Sequence, residues 1–280
     1  MNRIITAAVL IPLVLLLIFQ GSFLLILITT AVVAELTAWE LLSLAAPVGA
    51  RPPRLVVLVA IAVVFAATYF DTEAETPILL LLTLIIFVVC AFRSPLERVL
   101  PDTASSTFCL IYAGLSLTTI PLLWAQDDGR ALVLFLFCAV WCGDIAALYA
   151  GKAFGKHKLA PRLSPNKTWE GSAASVGGSV LVAVALFYIA RQLQSHSIFA
   201  IDYTGALWHW IVLAGCLNIA AQLGDLVESA VKRGSGVKDS GTILPGHGGV
   251  LDRIDALLLA GPVLWSIEWT GRYLAQRGLN

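Results

Sequence analysis

Leu207–Asp255 reads LWHWIVLAGCLNIAAQLGDLVESAVKRGSGVKDSGTILPGHGGVLDRID, and its reading decides the fold. Its first part, Leu207–Val231, is apolar over a length that crosses a bilayer, for which roughly 20 mostly apolar residues suffice. A glycine-rich polar loop follows at Arg233–Gly249, and a second apolar run begins at Val250. The seam between them carries Asp225, Glu228, Asp239, Asp252 and Asp255 together with Lys232, Arg233, Lys238, Arg253 and His247. Ionisable groups at membrane depth are costly, so a cluster of this kind marks a functional site in a water-filled cavity. Acidic pairs, basic residues and a His-Gly-Gly turn are what a metal-assisted reaction on phosphates requires. The segment therefore predicts a membrane enzyme.

Outside this segment the chain is overwhelmingly apolar. Of its 280 residues 59% are hydrophobic and 13% charged, against ~25% charged in ordinary soluble domains. Mean hydropathy is +0.87. The formal net charge is zero, which gives no bulk attraction to nucleic acid and leaves local charge placement to matter. Apolar runs recur at Ile4–Gln20, Phe23–Leu44, Leu55–Phe70, Pro77–Phe92, Thr107–Trp124, Ala131–Ala150, Ser172–Ala190, Leu207–Val231 and Val250–Tyr273. They predict an all-α, polytopic integral membrane bundle of about nine transmembrane helices. The first run is short enough for a signal peptide, but no small-residue cleavage site follows it and only Gly21 and Ser22 precede the next run. A retained span in a tight hairpin with the second is expected. Residues 1–130 are read as scaffold helices, with a role in dimerisation and lipid access, and residues 131–280 as the catalytic helices with two cytoplasmic polar loops. The chain shows no internal repeat.

Orientation follows from lysine and arginine placement. With the N-terminus in the cytoplasm and all nine runs crossing, only Arg130, Arg191, Arg272 and Arg277 face outward, with the acidic residues Asp71–Glu75 and Asp127–Asp128. The other loop cations all fall inside, as the positive-inside rule requires. Five cysteines lie within or beside the runs. Cys138 and Cys142 share a helix face, but no second pair or nearby histidine completes a metal site, so they read as small buried hydrophobes.

The two long polar loops both fall on the cytoplasmic side. In Gly151–Gly171, glycines, prolines and a Ser-Pro-Asn turn break any continuous helix. Lys152, Lys156, Lys158 and Arg162 form a juxtamembrane patch suited to anionic lipid. Ser164–Gly171 differs, because Ser164, Asn166, Lys167, Thr168 and Glu170 crowd a turn that opens a helix. Either Ser164 or Thr168 is suited to cap that helix, and its positive end beside Lys167 suits a phosphate. In the eighth run, Asn218, Gln222, Asp225, Ser229 and Lys232 recur at helical spacing along one face. Interhelical hydrogen bonding accounts for Asn218 and Gln222. Asp225 and Glu228 require a cation. Asp252 and Asp255 share a face of the next helix, and a divalent cation between Asp225 and Asp252 is the best account of the two acidic elements. Gly248 and Gly249 let backbone N–H groups approach an anion, and His247 is read as a phosphate or sugar contact. Asp144 is a candidate for the cavity wall. Glu35 and Glu40 do not share a face, and Glu40 is assigned to a neighbouring arginine.

Ser229-Ala-Val-Lys-Arg, then Lys238-Asp239, then Leu244-Pro-Gly-His-Gly-Gly-Val-Leu-Asp-Arg-Ile-Asp255 resemble the C-terminal motif of phosphatidate cytidylyltransferases, also called CDP-diacylglycerol synthases. Gly155-Lys-His-Lys-Leu-Ala-Pro with Ser164-Pro-Asn-Lys-Thr-Trp-Glu-Gly171 is similar to that family's second motif, in the expected order. The resemblance runs over Trp141–Pro262 and elsewhere rests on hydropathy. It departs at Asp144-Ile-Ala-Ala-Leu148-Tyr149, where relatives commonly have Ser-Gly-Ala-Tyr after the aspartate. The resemblance implies a multi-pass protein of a bacterial-type inner membrane, its site facing the cytoplasm, that condenses CTP with phosphatidic acid into CDP-diacylglycerol and pyrophosphate. It implies magnesium, with potassium as a companion cation, membrane lipids and a homodimer as partners, and no nucleic acid. Asp225 and Asp252 become the metal ligands, with Glu228 and Asp144 as further candidates. Lys167, Lys232 and Lys238 become catalytic, and Ser164, Ser229, Arg233, Asp239, His247, Arg253 and Asp255 surround nucleotide and phosphates. A CTP-dependent polyprenol kinase shares the phosphate logic. A secondary transporter shares the midplane charges, but the N-terminal half holds no counterpart of Gly224–Asp255.

Overall fold

The computed structural model describes residues 2–70, 72–198, 200–243 and 248–278, with side chains described from residue 11 onward. The expected apolar runs are helical. The N-terminal half contains α1 (Asn2–Gln20), α2 (Phe23–Leu44), α3 (Arg54–Phe70), α4 (Glu75–Arg93), α5 (Val99–Cys109) and α6 (Ser116–Trp124). A π-helical turn, Leu110–Leu115, joins α5 to α6. The C-terminal half contains α7 (Gly129–Phe154), α8 (Trp169–Ser195), α9 (Leu207–Gly234), the short α10 (Leu251–Ile254) and α11 (Leu257–Gln276). Among the described residues, six helical segments are long and apolar enough to cross a membrane, and Ile11–Gln20 and Arg54–Phe70 are apolar but shorter. The protein is thus an all-α polytopic integral membrane protein.

Local chemistry sets the boundaries. Ser22 caps α2 by accepting the Leu25 N–H at 3.3 Å, and Gly21–Ser22 separate α1 from α2. The ninth apolar run is divided between α10 and α11. At the break, Asp255 Oδ1 accepts the Ala256 N–H at 2.8 Å. The loop after α7 is ordered rather than irregular: β1 (Lys158–Ala160) and β2 (Ser164–Thr168) pair antiparallel, with Lys158 opposite Thr168 and Ala160 opposite Ser164.

The chain forms two compact units. The first comprises Met1–Leu17, Gly21–Leu122 and Glu228–Ile254; the second comprises Ile18–Gln20, Leu123–Val227 and Asp255–Asn280. In the first, Ala34, Ala38, Val57, Ile61, Val64, Ile86, Cys90 and Leu110 are fully enclosed. Asp102 is enclosed as well, and it ties two loops to α5 by accepting the Arg51 N–H and the Ser94 hydroxyl at 2.5 and 2.6 Å. In the second unit Leu132, Phe135, Leu136 and Ala139 of α7 are buried, as are Ala183 and Phe187 of α8 and Ala214 and Leu217 of α9. Lipid is as apolar as leucine, so burial alone does not hold such helices together; close packing and hydrogen bonds between helices do. A continuous polar chain supplies them here. Ser172 donates to Gln222 at 2.5 Å, Gln222 to Asn218 at 2.6 Å, and Asn218 to Ser175 and Ser179 at 2.9 and 2.8 Å. Ser179 donates in turn to the Ala139 carbonyl of α7 at 2.7 Å. Gly143 permits this meeting, since a Cβ there would come 2.8 Å from the Ser179 hydroxyl. Of the cysteines, Cys90 and Cys109 are buried as small hydrophobes, whereas Cys216 is exposed on α9.

Candidate active site

The polar chain of the second unit leads along α9 to a charged group. About two turns beyond Asn218, on the same face of the helix, Asp225 meets Lys167, whose ammonium lies 2.6 Å from Asp225 Oδ2. Lys167 is carried by β2, and the local fold explains its aim. Thr168, not Ser164, caps α8: its hydroxyl accepts the Gly171 N–H at 3.1 Å and is buried. Glu170 fastens the hairpin to the first turn of α8 by accepting the Lys156 N–H at 3.1 Å and the His157 N–H at 3.3 Å, with its carboxylate 2.6 Å from His157 Nδ1. Lys167 is therefore held between a cap and a latch. Ser164 is half-buried on β2; Asn166, Lys152, Lys156, Lys158 and Arg162 are exposed.

A second carboxylate joins Asp225. Oxygens of Asp225 and Asp255 lie within 4.8 Å of one another. Gly224 makes this possible, because a Cβ there would strike the Asp255 carbonyl at 2.5 Å. Asp144 of α7 is within electrostatic reach of Asp225 and Lys167. Paired carboxylate oxygens at this separation, with like charges in need of neutralisation, fit a hard divalent cation that takes oxygen ligands.

The first unit also holds a charged group. Lys232 bridges Glu228 and Asp252, at 2.7 Å from Glu228 Oε2 and 2.6 Å from Asp252 Oδ1. Asp252 Oδ2 accepts the Ser240 N–H and hydroxyl, both at 3.0 Å, and the Gly249 N–H at 2.8 Å. Lys232 and the Gly249 and Ser240 donors thus supply the partners of the Asp252 carboxylate. Gly248 has φ +80°, and a Cβ there would come 2.6 Å from Asp252 Oδ2. The Gly-Gly pair thus wraps an aspartate of its own chain, and the Gly249 N–H expected to approach an anion is spent on Asp252. Ser229 is buried, and Arg233 donates to the Val237 carbonyl at 3.0 Å. Lys238, Asp239 and Arg253 are exposed. His247 lies outside the described residues.

Two groups escaped the sequence reading. The serine partners of Asn218 were signalled only by the helical spacing of Ser172, Ser175 and Ser179. Glu40, expected beside an arginine, instead accepts the Val250 and Leu251 N–H groups at 3.0 and 2.9 Å and lies 3.0 Å from the Ser240 hydroxyl. No local pattern could have found partners some two hundred residues away.

These elements define a polytopic helical membrane protein with charged groups gathered where helices meet polar loops. The sequence matches the Cytidylyltransferase family over residues 1–270, and the chain belongs to that family. It is similar to proteins named phosphatidate cytidylyltransferase. One from Brucella suis biovar 1 (strain 1330) is 45% identical over 161 residues, 56% of this chain and 54% of the relative. One from Staphylococcus saprophyticus is 40% identical over 162 residues, 57% of each chain. One from Rickettsia bellii (strain RML369-C) is 37% identical over 183 residues, 62% of this chain and 74% of the relative. The chain spans about half the length of the first two.

Proposed function

We propose that this protein condenses CTP with phosphatidic acid to form CDP-diacylglycerol and pyrophosphate. The observation that carries the reading is the Lys167–Asp225 contact at 2.6 Å. It joins a lysine of one polar motif to an aspartate beside the other, within a chain of the cytidylyltransferase family. The names of its relatives, phosphatidate cytidylyltransferase, point to the same substrates.

In the reaction a phosphatidate oxygen attacks the α-phosphorus of CTP, a new P–O bond forms, and the bond to the β-phosphate breaks as pyrophosphate departs. Both reactants are anionic, so the protein's task is to neutralise and align phosphates. Phosphatidate is already ionised and needs no strong general base. Lys167, Lys232 and Lys238 bear phosphate charge, with Arg233 and Arg253 as further cationic contacts, and Ser164, Asn166 and Ser229 as polar ones. Asp225 and Asp252, with Asp255, Glu228 and Asp144 as further candidates, would be the carboxylates to hold magnesium, which when bound would polarise phosphate oxygens and neutralise charge. A monovalent cation, potassium, is proposed as its companion. Thr168 and Glu170 act indirectly, through the cap and the latch that orient Lys167.

The lysine and arginine asymmetry supports a cytoplasmic site, in a multi-pass protein of a bacterial-type inner membrane. CTP is cytoplasmic, and the acyl chains of phosphatidate stay in the bilayer while its headgroup reaches the polar loops. A homodimer is proposed from the family resemblance. The test is incubation of the purified protein with CTP labelled at the α-phosphate, phosphatidate and magnesium. Label recovered in CDP-diacylglycerol, with free pyrophosphate, is the expected result. Formation of CDP with a phosphorylated lipid would overturn the reading in favour of a kinase.

A further inference from the structure

Glu40 is a carboxylate in a membrane-spanning helix, 3% exposed, that no step of the proposed reaction uses. Its setting is built around it. Oε1 accepts the Val250 N–H; Oε2 accepts the Leu251 N–H and faces the Ser240 hydroxyl. Glycines bring the loop against it: a Cβ on Gly241 would come 2.6 Å from Oε1, and one on Gly249 would strike Oε2. A side chain at either position would push the loop off the carboxylate. The same helix holds the start of the loop as well, where the buried Ser235 hydroxyl donates to the Leu44 carbonyl at 2.7 Å.

We propose that Glu40 is a positioning residue for the reaction, the clamp that sets Ser240 and the Gly249–Leu251 segment around Asp252. The inference rests on the cytidylyltransferase reading of Asp252 and deepens it. Ser240 is the link, because its hydroxyl lies 3.0 Å from both Glu40 Oε2 and Asp252 Oδ2. Gly249, which presses on Glu40, also donates its N–H to Asp252. Among the described residues, each donor on Asp252 Oδ2 therefore comes from a residue in contact with Glu40. Val250 and Leu251 are buried, so their N–H groups have no water to turn to if the carboxylate is removed. A glutamine at position 40 offers one acceptor oxygen and sets an NH2 group against an N–H. The loop then samples other arrangements, and apparent affinity falls by the fraction of molecules still competent.

The experiment compares the full-length purified protein with Glu40→Gln and Ser240→Ala in mixed lipid–detergent micelles. The magnesium concentration for half-maximal CDP-diacylglycerol formation should rise about tenfold in Glu40→Gln and about threefold in Ser240→Ala, with kcat at saturating magnesium largely retained. Amide hydrogen exchange, measured without magnesium or substrates, should accelerate about tenfold at Val250 and Leu251 in Glu40→Gln and stay unchanged in α7. Wild-type exchange at those amides overturns the clamp. Accelerated exchange with wild-type magnesium dependence overturns its part in the reaction. If Glu40→Gln does not accumulate, Ser240→Ala carries both readouts, and wild-type values for it refute the inference. A native protein that forms no CDP-diacylglycerol refutes the activity alone, since the exchange comparison needs neither substrate.

Discussion

Replacing Lys167 with alanine should damage catalysis far more than replacing Lys158, although each change removes one positive charge from the same hairpin. The Lys167 ammonium sits 2.6 Å from Asp225, with its side chain about one quarter exposed, and Asp225 has the Asp255 carboxylate close by. Lys158 is exposed on β1. A hydrogen bond to a charged group contributes ≈ 1.5–3 kcal/mol when its partner is left wanting. With 1.4 kcal/mol per tenfold, that is a loss of about ten- to a hundredfold in kcat/KM for Lys167→Ala. The lower half of that range is the better expectation, because the pair is partly exposed and solvent screens it. A screened surface charge such as Lys158 contributes ≈ 0–1 kcal/mol, so Lys158→Ala should stay within about fivefold. The assay is kcat/KM for CTP at saturating magnesium, with phosphatidate at fixed surface density. Equal and small losses from the two variants would show that the hairpin is only an electrostatic apron and would remove Lys167 from the site.

Asp225→Asn and Asp252→Asn should each abolish turnover while the purified protein stays folded; near-wild-type rates from either would refute its assignment as a cation ligand. Thr168→Ala removes the α8 cap and should lower stability by about 1 kcal/mol, seen as a reduced Tm, and should also lower kcat/KM through the displaced Lys167; an unchanged Tm would mean the cap contributes nothing. For topology, single cysteines at Lys158 and Lys238, in a background lacking the exposed Cys216, should resist a membrane-impermeant thiol reagent applied to intact cells. One at Ser195 should react, and the reverse pattern would overturn the cytoplasmic orientation.

The helical membrane character was legible in the sequence because a bilayer imposes it locally: backbone groups in hydrocarbon must bond within their own segment, so a long apolar run has one solution. The break at Gly21–Ser22 and the full extent of α2 were legible for the same local reason. So was the polar face of α9, since helical periodicity places Asn218, Gln222 and Asp225 in line whatever surrounds them. What those side chains touch was decided by tertiary structure. Helix periodicity names a face but not the helix opposite, so the serines of α8 became visible only when α8 lay against Asn218. The choice of Thr168 over Ser164 as cap depended on the hairpin, which extends β2 up to the first turn of α8. Asp255 came beside Asp225 because Gly224 admits the chain there, a steric fact with no counterpart in motif spacing. Glu40 is the clearest case. A lone carboxylate in an apolar helix must find donors, and one sequence cannot say whether an arginine nearby or a distant loop provides them; burial of that loop's N–H groups against α2 settled it.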